Sequence, residues 1–316
     1  MIIMTDDSNK RKEIYEKLKD KYPDLVWNSM YMSLLKVFAP IIRRFPIDAR
    51  FEEKLPEDSV LIFAQNHCNI YDSLVLDKVM KGYDYFCFAG DEPRYTLSGK
   101  SFEAKGVVWV DRSDAKSRND SKIVLEELAK EGFNLSTCPE GTWCLDLREL
   151  ILTIPYGVSK IAINASKEVK LYIVPVVTDY NYLGNTNKVI DAITTVCKPI
   201  RVTPDMDYKK LNELLTDTLW TARWLQLEER AAKSDETIRI DSIYDDDCTN
   251  HYVFKRENYS VSDWEEHVCS LESQYKVDWN VELGYRFKTK ERLEQEEVEA
   301  DLEKIKNGMV LQKKFK

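Results

Sequence analysis

The sequence predicts an α/β fold: a mostly buried, mixed sheet flanked by helices, preceded by an N-terminal helical pair and followed by a charged C-terminal extension. Two observations carry this. From Ser59 onward, short β-branched or aromatic runs alternate with helical stretches, and the runs are apolar enough for strands covered on both faces. A third is a change of character after Lys233, where Asp245-Asp246-Asp247, scattered aromatics and a charged, helical 290–306 replace the alternation.

Residues 7–21 are charged and helical in composition, and 25–43, rich in Trp, Tyr, Met, Leu, Ile and Phe, reads as a second helix. Asn28, Ser29, Ser33, Lys36 and Pro40 interrupt it, so it falls short of the roughly 20 apolar residues a span requires. It is either an interfacial helix in the headgroup plane, with Trp27, Tyr31 and Phe38 as interface aromatics and Arg43 and Arg44 at its end, or a helix packed on the core. Strands follow at 59–65, 85–89, 107–110, 133–138 and 171–178, with another at 193–202 interrupted by Pro199. Helices fall at 72–80, 113–130 and 155–165. Leu211, Leu214, Leu215, Leu219 and Trp220 give 208–233 a helical period that completes the domain. The organisation is therefore 1–50 helical, 51–233 an α/β domain, and 234–316 an extension to which the sequence assigns no role.

A chain of 316 residues that is 43% hydrophobic can bury a large core, and its formal net charge of -9 argues against non-specific nucleic-acid binding. The seven cysteines, an odd number with no CxxC pair, fit a reduced cytosolic compartment. Met1–Lys10 carries two acidic side chains and only a short apolar run, so no secretory leader is read there. No metal-ligand spacing is visible.

Four segments can carry chemistry. The strand Val60-Leu61-Ile62-Phe63-Ala64 runs into Gln65-Asn66-His67, and the next helix is capped by Asp72 or Ser73, which puts His67 at a strand end beside a helix start. A four-residue loop can fold the Asp72 carboxylate back onto Nδ1-H of His67, leaving Nε2 as a base for a hydroxyl or amine. A chain with three histidines and many aspartates meets this spacing by chance, so a helix-capping Asp72 and a turn-satisfying His67 stay open at this point. In Gly106-Val107-Val108-Trp109-Val110-Asp111-Arg112, Arg112 stands after a strand, where a guanidinium can grip phosphate or form a surface ion pair, and Asp111 can orient it or cap the following helix.

The strand 133–137 leads into Cys138-Pro139-Glu140-Gly141-Thr142. Gly141 permits close approach of a ligand, and Glu140 can accept from an acceptor's hydroxyls or stiffen the site by binding backbone amides. Last, Ile173-Val174-Pro175-Val176-Val177 is an apolar strand whose proline cannot donate to a ladder, which predicts an edge, a bulge or a strand end. Cys68 and Cys138 lie inside these segments, so each is either a thiol nucleophile or a small buried filler.

In this order the segments resemble the glycerolipid acyltransferase family that includes 1-acyl-glycerol-3-phosphate acyltransferases. Its pattern runs Asn-His-x4-Asp, Gly-x-Ile-Phe-Ile-Asp-Arg, Phe-Pro-Glu-Gly-Thr-Arg-Ser, then Val-Pro-Val/Ile. The matching residues are Asn66, His67 and Asp72; Gly106, Asp111 and Arg112; Pro139, Glu140, Gly141 and Thr142; and Val174, Pro175 and Val176, within about 55–205. The resemblance implies that His67 is the base and Asp72 its partner, and that Arg112, Glu140, Gly141 and Thr142 bind the acceptor. It also implies that acyl-CoA or acyl carrier protein supplies the acyl thioester, with no metal or cofactor besides.

Where the family has Arg-Ser after Glu-Gly-Thr, this chain has Trp143 and Cys144. Losing one charged bidentate contact commonly costs about 1.5 to 3 kcal/mol. Arg94, Lys100 or Lys105 can compensate, or Trp143 can stack on a sugar, an amine-bearing head group or an acyl chain. The leading expectation is acyl transfer to a lysophospholipid by a cytoplasmic protein, peripheral at the inner membrane face, in phospholipid biosynthesis. The alternatives are a non-phosphate acceptor, with water in a thioesterase variant, and a non-catalytic lipid-binding scaffold of the same fold.

Overall fold

The computed structural model describes residues 7–28, 45–69, 71–91, 93–141, 151–182, 189–233, 238–240 and 252–254. In chain order its elements are α1 (Asp7–Lys19), β1 (Leu25–Val26), β2 (Ile47–Phe51), β3 (Val60–Gln65), α2 (Asp72–Val79), β4 (Tyr85–Gly90), α3 (Leu97–Lys105), β5 (Val107–Val110), α4 (Ala115–Lys130), β6 (Asn134–Thr137), α5 (Gly157–Ala165), β7 (Leu171–Tyr182), β8 (Val189–Val196), β9 (Ile200–Val202), α6 (Tyr208–Lys233), β10 (Ile238–Ile240) and β11 (Tyr252–Phe254).

Nine strands make one mixed sheet in the order β1-β5-β4-β6-β3-β7-β8-β2, with β9 also on β7. The run β5-β4-β6-β3-β7 is parallel throughout. β3 sits in it, and all six of its residues, VLIFAQ, are buried, as expected of a strand covered on both faces. One face packs Ile14 and Leu18 of α1, Val124 and Leu128 of α4, Ile161 and Ala162 of α5, and Leu211, Leu215 and Leu219 of α6 against Ile62, Ala64 and Ile173. The other packs Leu76 of α2 and Phe102 of α3 against Leu61, Phe63, Trp109 and Val174.

The expected α/β alternation is present, and so are helices over most of 72–80, 113–130, 155–165 and 208–233. Several boundaries differ. Leu25 and Val26 do not begin a helix: they pair antiparallel with Val108 and Val107, and 29–44, the rest of the expected second helix, lies outside the described residues. The strand expected over 193–202 is two strands, β8 and β9, that meet β7 on either side of the 197–199 turn. α3 and β2 were not expected, and β2 lies parallel to β8. Among the described residues of the first fifty, α1 packs in the core and β1 and β2 join the sheet.

Pro175 is neither at an edge nor at a strand end. It lies inside β7, opposite Ala64 of β3, where the partner on the other side changes from β9 to β8. Its carbonyl accepts from the Cys197 amide at 2.9 Å, so the missing N–H faces the β9–β8 connection and no ladder bond is lost. Of the C-terminal extension, β10 and β11 form an antiparallel ribbon; the expected helix at 290–306 is outside the described residues.

Because β3, β4, β5 and β6 are parallel, the residues that follow them, including His67, Arg112 and Cys138, emerge at one edge of the sheet. Ligands of open α/β sheets bind at this edge.

Candidate active site

β3 ends where Asn66 turns its side chain onto β7. The Asn66 carboxamide accepts from the Thr178 amide at 2.8 Å and donates to the Thr178 carbonyl at 3.1 Å, which ties the start of the loop to the sheet. The next residues wrap around one carboxylate. Oδ2 of Asp72 accepts from the amides of Cys68 and Asn69, both at 2.8 Å, and meets Nδ1 of His67 at 2.9 Å. Oδ1 accepts from the Tyr180 hydroxyl at 2.7 Å. Asp72 is 1% exposed, so this buried charge has four partners in place of water. It is the first residue of α2 rather than its cap: Tyr71 holds the cap position, with no side-chain hydrogen bond.

A carboxylate on Nδ1 makes that nitrogen the donor and leaves Nε2 as the reactive one. The ring is 21% exposed. Burial disfavours charge on the imidazole, but the nearby Cys138 sulfur and the Asp72 carboxylate outweigh this and raise its pKa to about 10.

The second strand end is supplied by β6. Cys138-Pro139-Glu140-Gly141 forms a tight turn closed by the Gly141 amide on the Cys138 carbonyl at 3.0 Å, with Gly141 at φ +77°. The turn aims Glu140 inward, where it is 3% exposed. One oxygen accepts from the His67 amide at 2.7 Å and the other from the Leu152 amide at 2.6 Å. Of the two roles open to Glu140, these contacts are the backbone-stiffening one. Thr142 and Trp143 lie outside the described residues.

Other candidate residues are placed differently. Arg112 shares the site's edge, but β4 and β6 separate β5 from β3, so at about 4.8 Å per strand the two strand ends are about 14 Å apart. Asp111 does not orient Arg112: its carboxylate accepts from Ser113 Oγ at 2.6 Å and the Ser113 amide at 2.8 Å, bonds that lower its pKa, while Asp114 caps α4. Gly106 precedes β5, at the end of the sheet opposite His67, so it lines no part of this site. A Cβ there would lie 2.6 Å from Arg11 Nη2 and from Phe86. Arg94, Lys100 and Lys105 form ion pairs with Asp24, Glu103 and Asp77. Cys68 is buried filler: its sulfur lies 3.5 Å from the Thr178 carbonyl, and burial raises its pKa well above that of a free thiol.

Sequence reasoning missed Tyr180 and the Arg223–Asp179 pair. Tyr180 has a faint signal, a polar-tipped aromatic past the apolar stretch of a strand that starts beside β3. Arg223 has none, since in sequence it is one more cation on α6. In the fold it is buried, 2.6 Å from Asp179 and 2.9 Å from the Thr178 carbonyl, beneath the Asn66 contact. Among the described residues no cluster of three or more His, Cys, Asp or Glu could hold a metal ion.

An imidazole at a parallel strand end, with one nitrogen fixed by a buried carboxylate and its side chain partly exposed, is the equipment of base-assisted group transfer. Residues 46–179 match the Acyltransferase family model, a segment that spans β2 to most of β7 and every site contact described except the Tyr180 and Arg223 bonds. This segment of the α/β unit is thus similar to the Acyltransferase family. Among solved structures, the chain is similar to the crystal structure of the 1-acyl-sn-glycerophosphate (LPA) acyltransferase PlsC from Thermotoga maritima, at 15% identity and a TM-score of 0.49, over 71% of this chain and 84% of that one. No curated protein matches it.

Proposed function

We propose that the protein moves a fatty acyl group from an acyl thioester, acyl-CoA or acyl carrier protein, to the hydroxyl of a lysophospholipid, with His67 as general base and Asp72 as its orienting partner. The observation that carries this reading is the 2.9 Å contact from His67 Nδ1 to a carboxylate held by three further donors, inside the segment that matches the Acyltransferase family model. Nε2 takes the acceptor's proton as its oxygen attacks the thioester carbonyl. Asp72 stabilises the imidazolium that forms, and Glu140 fixes the backbone that carries the ring. Arg112, three strand spacings or about 14 Å away along the same edge, suits a phosphate at the far end of the acceptor. The turnover we envisage is on the cytoplasmic face of a membrane, with the protein peripheral to it; no helix among the described residues is long and apolar enough to cross one.

A non-phosphate acceptor is the second reading, favoured by Trp143 and Cys144 standing where the family pattern has Arg-Ser. A non-catalytic lipid-binding role has less support, because a scaffold has no use for four hydrogen bonds that hold one carboxylate on one imidazole.

The test is transfer of labelled long-chain acyl groups from acyl-CoA to a panel of lysolipids and neutral hydroxyl acceptors, by wild type and His67→Ala. Wild type should transfer and the variant should not. Equal transfer by both, or by neither, refutes the reading.

A further inference from the structure

Towards its end β7 runs Thr178-Asp179-Tyr180, and the side chains of a strand alternate between its two faces. On the face that meets α2, the Tyr180 hydroxyl is on Asp72 Oδ1 at 2.7 Å. On the opposite face stands α6. Its buried Arg223 places Nη1 2.6 Å from Asp179 Oδ1 and donates from the same nitrogen to the Thr178 carbonyl at 2.9 Å. One turn along the helix, Gln226 Nε2 donates to the Val177 carbonyl at 3.0 Å and to Thr195 Oγ1 at 2.9 Å, so α6 grips β7 at three successive residues.

The carbonyl that Arg223 holds also accepts from Asn66 Nδ2 at 3.1 Å, while the Asn66 oxygen accepts from the Thr178 amide at 2.8 Å. Asn66 precedes His67 in the chain, and Tyr180 follows Asp179. The guanidinium therefore stands behind both halves of the pair: through Thr178 and Asn66 it reaches the His67 loop, and through Asp179 and Tyr180 it reaches the Asp72 carboxylate. The Thr178 carbonyl and the Asp179 amide belong to one rigid peptide plane, so a group that holds both the carbonyl and the Asp179 side chain fixes how that plane is turned. Stability does not account for such an ion pair. Burying two charges costs desolvation, and an apolar pair of similar volume is often at least as stable. What the apolar pair lacks is direction.

We propose that Arg223, through its ion pair with Asp179, is a positioning residue for the transfer: from the far face of the sheet it sets the orientation of Thr178–Tyr180 that aims Asn66 and Tyr180 at the His67–Asp72 pair. This rests on the acyltransferase reading and deepens it. Arg223 touches neither the imidazole nor the Asp72 carboxylate in any contact described above, and it acts through β7. It also lies beyond residues 46–179, so the family match assigns it nothing, and the pair's support includes a helix outside that segment.

The test compares the full chain as wild type, as the apolar double variant Arg223→Met with Asp179→Leu, and as Arg223→Lys. Urea midpoints establish how stable each is. Two readouts follow: kcat and KM with palmitoyl-CoA and the acceptor that wild type uses best, and the downfield proton NMR resonance of the His67 Nδ1–H, assigned by its absence in His67→Ala. The double variant should match or exceed the wild-type midpoint, keep the acceptor KM and lose about 10- to 100-fold in kcat, the upper figure being what a misplacement of about 1 Å costs. Its imidazole resonance should move or broaden. Since one nitrogen makes both contacts of Arg223, the shorter lysine can restore them in part, so Arg223→Lys should shift both readouts in the same direction but by less. If the double variant does not fold, Arg223→Lys decides alone. A folded variant with wild-type kcat and an unmoved resonance overturns the inference, and so does a kcat that falls only in proportion to the unfolded fraction. The resonance needs no substrate, so absence of transfer by wild type defeats the acyltransferase reading, while a moved resonance would still show that Arg223 positions the pair.

Discussion

The Tyr180 hydroxyl donates to Asp72 Oδ1 at 2.7 Å, joining the strand β7 to the first residue of the helix that follows the His67 loop. That bond fixes the side of the carboxylate that the loop amides do not reach, and so the plane in which Oδ2 meets His67. Hydrogen bonds to charged groups contribute about 1.5–3 kcal/mol. Tyr180→Phe should therefore lower the urea midpoint, reduce kcat several-fold and leave the acceptor KM unchanged, because it removes an aiming contact and no acceptor contact. A wild-type kcat in the variant would show that the loop amides alone set the carboxylate's orientation.

The α/β class was legible because buried parallel strands and amphipathic helices have different periods, and both periods survive in the linear text. The His67–Asp72 pair was legible for a narrower reason: the loop is short enough that spacing alone restricts where the carboxylate can go. Glu140 on the His67 amide was legible only as one of two options, since nothing in Cys138-Pro139-Glu140-Gly141 says that β6 will lie beside β3. Tyr180 and Arg223 were not legible, as their roles depend on strand order, which no local signal encodes. β1 was misread because two apolar residues, Leu25 and Val26, fit a helix as well as an edge strand and only the partner Val107-Val108 decides between them.

Glu140 offers a way to separate acceptor binding from positioning. Its two oxygens accept from the buried amides of His67 and Leu152 at 2.7 and 2.6 Å. Glu140→Gln keeps one acceptor oxygen and turns an NH2 towards the other amide, leaving a buried donor unsatisfied at a cost of about 1–3 kcal/mol. The expected result is a lower melting temperature and a fall in kcat with KM for the lysolipid held. A rise in KM with kcat preserved would mean that Glu140 touches the acceptor.

Gly106 should separate stability from activity in the opposite sense. At φ +95°, with Arg11 and Phe86 each 2.6 Å from where a Cβ would stand, Gly106→Ala is both strained and crowded. Yet it lies at the end of the sheet away from His67. The variant should lose stability by at least about 1–3 kcal/mol, the cost of a residue held in a disfavoured backbone region, and keep its kcat per folded molecule at temperatures below its transition. Titration of active protein against folded protein checks this; a fall in kcat per folded molecule would mean that Gly106 couples to the site.

His67 also predicts how stability depends on pH. Its pKa is raised from 6.5 to about 10 in the folded chain, burial opposing and Cys138 and Asp72 prevailing. The native state therefore holds a proton that the unfolded chain has already lost above about 6.5. Where the native state binds more protons, stability falls as pH rises. The contribution is fully present below about pH 6.5 and is lost as pH climbs through about 10. His67→Gln carries no such proton, so the gap in urea midpoint between wild type and His67→Gln should be widest near pH 6 and narrow steadily towards pH 10. Cys138→Ala removes one of the two groups that favour the charged ring, so its gap should close at lower pH than in wild type. A wild-type gap that stays constant from pH 6 to 10 would mean that the imidazole is not held in its charged form, and that the sulfur and the carboxylate do not act on it as a pair.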